Sequence, residues 1–247
     1  MLQANNTQRK PLLTPQEEHI MKIKYGTEVN RFLALLLISI FFSSLGLSTT
    51  ALADRDKMYT VTITNITHGT FFTPILVVTH KAGHPLFKLG EMASDELASV
   101  AEAGNTQPLQ DKLMESDMSY DAVSTGAPLL PGKSVTVTVN AKPGYDYLSL
   151  AAMLLPTNDG FIAINGMELP RKAATVFIPG YDAGTETNSE LCADIPGPQC
   201  GGLGLSPDDH GEGYVHIHSG IHGIGDVSAA EYDWKNPVAL VKILRMR

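Results

Sequence analysis

Two kinds of side chain in this 247-residue chain are spaced so that they could do chemistry. The first kind is carboxylate. Pro156-Thr157-Asn158-Asp159-Gly160 lies between two apolar runs, and Tyr181-Asp182-Ala183-Gly184-Thr185-Glu186 follows another through Pro179-Gly180. Calcium takes six to eight oxygens from carboxylates, amides and main-chain carbonyls, and neighbouring acidic loops supply such a set. Glycines beside the acids let the backbone bend so that carbonyls turn inward. Asn-Asp-Gly and Asp-Ala-Gly are equally ordinary turn chemistry, in which Asp bonds its own backbone. Spacing alone leaves both readings open.

The second kind is imidazole. Gly213-Tyr214-Val215-His216-Ile217-His218-Ser219-Gly220-Ile221-His222-Gly223 places His216 and His218 two residues apart. On a strand they face one side, as two ligands of one copper or zinc ion must. His222 could fold back toward them through Gly220, and His210 and Glu212 are near in sequence. The plainer alternative is a polar sheet face whose rings bond neighbours or water.

Other chemistries find no local signature. Gly126-Ala-Pro-Leu-Leu-Pro-Gly132-Lys133-Ser134 has five residues between its glycines where a phosphate loop has four, and a strand pattern follows it instead of a helix. No Gly-x-Ser-x-Gly and no His-Glu-x-x-His occurs, so the chain reads as a binding protein and not an enzyme. A net charge of −8 offers no basic surface to phosphate backbones, which argues against nucleic acid. Trp234 and the other aromatics form no stacking series.

These residues need a scaffold, and the patterning is that of short strands. Tyr59–Asn65 and Ser134–Asn140 alternate β-branched residues, with Val135, Val137 and Val139 on one face and Thr136 and Thr138 on the other. Further strands are predicted at Pro74–Thr79, Tyr147–Leu155, Phe161–Asn165, Ala173–Ile178, Tyr214–His218 and Pro237–Arg245, with Gly, Pro, Asn or Asp between most of them. The pattern predicts an all-β fold, an antiparallel β-sandwich or barrel. Residues 89–116 are the exception: two short helices are expected there, the first capped by Ser94 or Asp95, with Leu97, Val100 and Ala101 on its apolar side. This insertion is expected to cross the end of the sandwich. Cys192 and Cys200 flank the seven residues ADIPGPQ, a tight loop that a disulfide would close in an oxidising compartment.

The amino end reads as an export signal. Lys22, Lys24 and Arg31 precede the apolar run from Phe32, which ends in Ala51-Leu52-Ala53. Cleavage is expected after Ala53, with Met21 as an alternative start. Residues 1–53 would be the signal region and 54–247 the mature domain. The mature domain keeps 13 basic and 23 acidic residues, a net charge of −10. The protein is thus expected to be secreted or periplasmic, touching membrane only through that segment if it is left uncleaved.

Pro156-Thr-Asn-Asp159, Asn165-Gly166 and Pro179-Gly-Tyr181-Asp182-Ala183-Gly184-Thr185-Glu186 together resemble the spondin amino-terminal domain family, nearer its prokaryote-like branch. Its extracellular animal members carry Pro-Ser-Pro-Asp-Trp and Tyr-Asp-Ala-Gly-Thr-Asp at corresponding places, so Gly160 stands for an aromatic and Glu186 for an Asp. The similarity runs from about Tyr59 to Arg247, through Asp233-Trp234-Lys-Asn-Pro237. It implies an antiparallel β-sandwich with calcium at one end, held by Asp159 and Asp182. A third family ligand, a Glu, aligns with Asn140. It also implies adhesion or binding to an extracellular or cell-surface ligand. A histidine-rich copper- or zinc-binding protein or metalloenzyme using His216, His218 and His222, and a structural envelope domain, are the rival readings.

Overall fold

The computed structural model describes residues 56–206 and 209–246, together with Gln16. The chain divides into two units, Met1–Ala53 and Asp54–Arg247. The expected export signal, its cleavage point and the start at Met21 fall in the first unit and lie outside the described residues. Among the described residues no helix is long and apolar enough to cross a membrane.

The second unit is an antiparallel β-sandwich. Its smaller sheet has the order β5-β1-β11-β8, with β1 at Lys57–Asn65, β5 at Ser134–Ala141, β8 at Ala173–Ile178 and β11 at Ala239–Arg245. The larger sheet runs β10-β9-β7-β6-β3-β4, and β2 (Phe71–Phe72) pairs with the end of β6. Its strands are β3 (Leu76–His80), β4 (Ser119–Ser124), β6 (Tyr147–Leu155), β7 (Gly160–Glu168), β9 (Gly180–Asp182) and β10 (His216–Ile217). Helices α1 (Asp95–Ala103) and α2 (Gln107–Glu115) lie between β3 and β4, and a short α3 (Ala229–Tyr232) precedes β11.

Alternation makes the core. Tyr59, Val61 and Ile63 of β1, with Val241 and Ile243 of β11, meet Leu148, Leu150, Ala152 and Leu154 of β6 in one buried cluster. The outward residues of β1 and β5 are polar and pair across strands: Thr62 with Thr136, and Thr64 with Ser134, at 2.8 and 2.7 Å. Such a sheet has one wet face.

The larger sheet is different, because β6 is apolar on both sides. Leu148 to Leu155 are all buried, so a second cover is needed. Helix α1 supplies it: Leu97 and Ala101 pack with Phe161, Ala163 and Phe87, while Val100 packs with Leu76, Leu109 and Ala151. The helical insertion therefore lies on the outer face of the larger sheet and does not cross the sandwich end. Ser94 caps α1, its Oγ accepting from Leu97 N–H at 3.3 Å. Gly104 ends the helix in the left-handed conformation, φ 64°.

Three strands escape the sequence patterns. β2 has only two residues, β4 is a polar edge strand, and β9 begins on a glycine after Pro179, which locally reads as a turn. The strand predicted at Tyr214–His218 shortens to His216–Ile217, bounded by Gly213 and Gly220 at φ 80° and 95°. Cys192 and Cys200 form a disulfide.

Candidate functional site

The turn from β6 to β7 and the strands β9 and β10 bring the acidic loops and the histidines to one end of the larger sheet. Thr157 fixes the turn: its hydroxyl donates to Leu154 O at 2.5 Å and accepts from Gly160 N–H at 3.0 Å. Asp159 is thereby placed beside β9, where its carbonyl accepts from Ala183 N–H at 3.2 Å. Asp182 stands between two neighbours, paired with Gly160 of β7 on one side and His216 of β10 on the other.

Both carboxylates are almost fully buried, Asp159 at 0% exposure and Asp182 at 1%. Oδ2 of Asp159 accepts from Thr185 N–H at 2.7 Å, Thr185 Oγ1 at 3.3 Å and Glu186 N–H at 3.1 Å. Its Oδ1 is buried without a hydrogen-bond partner. Asp182 accepts from Gly184 N–H at Oδ1 and from Asn188 Nδ2 at Oδ2, both at 2.8 Å. Burial, reinforced by the neighbouring Asp182 charge, pushes the Asp159 carboxyl up to about 7 against the pull of its two N–H donors. Glu186 is also fully buried, with both carboxylate oxygens unpartnered. Burial and the nearby Glu102 charge push it up to about 8.

Two glycines serve close approach here. A Cβ on Gly184, which sits at φ 67°, would meet the Tyr214 backbone at 2.4 Å. A Cβ on Gly160 would meet Thr157 Oγ1 at 2.7 Å and the His218 ring at 3.0 Å. The aromatic that the resemblance expects after Asp159 has no room beside that histidine.

The histidines divide. His216 Nδ1 lies 3.6 Å from Asp182 Oδ1, and His218 Nε2 lies 3.9 Å from Asp182 Oδ2. The two therefore do converge on one carboxylate. His222 turns elsewhere, with Nδ1 3.9 Å from Glu190. His218 Nδ1 accepts from Gly220 N–H at 3.0 Å, so the neutral ring carries its proton on Nε2, which is buried without a hydrogen-bond partner. Burial holds that ring neutral, its pKa lowered to about 4. With Nδ1 engaged as acceptor and Nε2 protonated, His218 faces Asp182 at 3.9 Å and leaves the ligand set. The expected trio of His216, His218 and His222 is not assembled around one point.

Asn140 is a further correction. Its carbonyl accepts from Thr79, which pairs with Leu148 at the start of β6, whereas Asp159 lies beyond the last residue of that strand. Seven residues of strand separate the two levels, about 23 Å. The Asn140 amide is taken up by Asp121 at 2.9 Å. An ungapped placement cannot follow bulges such as those in β6–β7 and β3–β4.

Sequence reasoning passed over two contributors. Glu212 was noted only as near in sequence; with Asp182 and His216 it offers ligand atoms that all lie within 4.8 Å of one another. Glu190 carries no motif. It is the non-glycine residue at positive φ, 56°, among the described residues, and its buried carboxylate accepts from His222 N–H at 2.6 Å and Ile224 N–H at 2.9 Å. Asn158 Oδ1 accepts from Glu190 N–H at 3.1 Å, tying the 158 turn to the histidine loop.

Comparison with curated proteins finds no match for this chain. Comparison with family profiles finds Spondin_N over residues 60–191, a shorter span than the sequence resemblance to Arg247. That span covers more than half of the chain and carries Asp159 in the turn before β7 and Asp182 at the end of β9, and the chain belongs to the Spondin_N family.

Proposed function

We propose that this protein is an exported, calcium-binding β-sandwich module of the spondin type that acts by binding an extracellular or cell-surface partner and not by catalysis. The observation that carries the reading is Asp159 Oδ1, a buried carboxylate oxygen with no hydrogen-bond partner beside a second buried carboxylate, Asp182. Leaving such an oxygen unsatisfied costs about 1–3 kcal/mol, and more when it is charged. A proton or a cation must meet it.

The donors fit a hard divalent ion: Asp159 Oδ1 and the Asp182 carboxylate are oxygens, and the loops around them carry main-chain carbonyls. A bound calcium would neutralise the two acids and hold the loops that carry them. Asp159 and Asp182 bind; Thr185, Glu186 and Asn188 orient their carboxylates through the hydrogen bonds described. The ordered loops would then present the partner-binding surface. The disulfide at Cys192–Cys200 and the basic-then-apolar amino end support a secreted or periplasmic location.

Calcium titration with a thermal-melting readout tests this on the full chain. Extracellular-type sites have Kd of about 10⁻⁴ to 10⁻³ M, so 10 mM calcium should stabilise the protein by about 1.4–2.7 kcal/mol. Asp182→Ala should abolish the response. An unresponsive wild-type protein would leave a structural envelope domain as the better reading.

A further inference from the structure

We infer that Glu212 and His216, set against Asp182, form a second cation position that is distinct from the calcium position at Asp159 and takes a borderline divalent ion such as zinc. One ligand atom from each of these three residues lies within 4.8 Å of the others. The ligands of a tetrahedral zinc, at about 2.0–2.2 Å from the ion, are about 3.3–3.6 Å apart. The contraction required is small and falls on the residues able to make it, since Glu212 is exposed and His216 half-buried. Asp182 is fixed at the base.

The surroundings are built for this. His218 Nε2 is buried, has no hydrogen-bond partner, and points at Asp182 Oδ2 from 3.9 Å. Asn188 Nδ2 donates to Asp182 Oδ2 at 2.8 Å and reaches Glu212 Oε1 at 3.4 Å, joining the two carboxylates. Outer partners of this kind set ligand direction in metal sites. The Tyr214 carbonyl lies 3.2 Å from His216 Nδ1, the nitrogen that faces Asp182, and a cation taken at that nitrogen displaces the contact.

The donor type separates the two positions. Calcium takes oxygens, whereas an imidazole nitrogen with two carboxylates suits zinc and its neighbours. Among the described residues no histidine nitrogen pairs with Asp159. Glu212 and His216 also lie outside the 60–191 span matched by the family, so this position belongs to the chain's own carboxyl-terminal third. It does not depend on calcium being bound.

Zinc and cobalt titrations of the full chain, purified without a polyhistidine tag and in calcium-free buffer, test the inference. Zinc should raise the melting temperature, and cobalt should give the visible absorption of a nitrogen- and oxygen-ligated ion. His216→Ala and Glu212→Gln should each weaken zinc by about tenfold or more and leave the calcium response unchanged, while Asp159→Asn should do the reverse. In the wild-type protein, zinc should shift the His216 ring nitrogens in nitrogen-15 spectra, a readout independent of any variant's folding. The inference is overturned by the absence of zinc or cobalt binding, by His216 resonances that ignore zinc, or by zinc affinity that falls equally in Asp159→Asn and His216→Ala. A zinc response without a calcium response would support this position and defeat the calcium reading alone.

Discussion

The two ends of β6 treat polar groups in opposite ways. At its start, Asn140 gives both its backbone N–H and its amide to Asp121, at 2.7 and 2.9 Å. Lys142 lies over the rings of Tyr120 and Tyr145, and Tyr145 donates to the Asp117 carbonyl. Asp117, Tyr120, Asp121, Lys142 and Tyr145 are all exposed or half-exposed. At its far end, Asp159, Asp182, Glu186, Glu190 and His218 are all buried, and orphaned oxygens and a ring nitrogen remain among them. Polar residues at a surface satisfy themselves with one another or with water, whereas buried ones without partners point to something the chain alone does not supply. Alignment with the family's third ligand placed Asn140 in the candidate set; its completed bonding removes it.

The largest test of this contrast is Glu190→Ala. It would leave the N–H groups of His222 and Ile224 without acceptors and free the histidine loop. A loss of about 2–6 kcal/mol is expected, from two donors at about 1–3 kcal/mol each. Glu190→Gln should recover part of it. Urea unfolding measures both, and a loss below the error of that measurement would show that Glu190 does not hold the site end together.

A smaller effect concerns pH. Asp159 and Glu186 keep their protons in the fold up to about pH 7 and 8, from ordinary values of 3.8 and 4.5. Across those windows the folded state binds more protons than the unfolded one, so stability falls as pH rises. His218 opposes them, since its pKa drops from 6.5 to about 4 and its contribution grows with pH between those limits. Above pH 6.5 only the carboxylates act. In chelator, the melting temperature should therefore fall between pH 6.5 and 8, and Glu186→Gln should remove most of that fall. Calcium should flatten the lower part of the slope, because it takes the place of the Asp159 proton. A melting temperature that rises over this window would break the contrast.

The smallest effect is expected at the other end of β6. Asn140→Ala should change stability by no more than about 0.5 kcal/mol, as for exposed substitutions away from special features, and should leave the calcium response as it is. A lost calcium response in that variant would return Asn140 to the site.

How much of this was legible depended on whether the signal was local. β6 and β8 match their predicted ranges, Tyr147–Leu155 and Ala173–Ile178, because period and punctuation are carried by neighbouring residues. The Ser94 cap and the Leu97, Val100 and Ala101 face of α1 were readable for the same reason. The position of that helix was not readable: it follows from β6 needing cover on its second face, which depends on which strands flank it. Asp159 and Asp182 were visible through the family resemblance. Glu190 and the partnership of Glu212 with His216 were not, since they arise from chain segments that meet only when β9 pairs with both β7 and β10.

The amino-acid sequence by itself determined the class of fold, the acidic balance, the cysteine pair and the two carboxylates worth following. The first three rest on composition, alternation or short spacing and the carboxylates on the family resemblance, and none needs knowledge of long-range contacts. The tertiary structure decided which polar atoms are buried without partners, which histidines face Asp182, and that Asn140 stands at the far end of β6. Those depend on strand register and on the exclusion of water, and both exist only once the sheets have closed on each other.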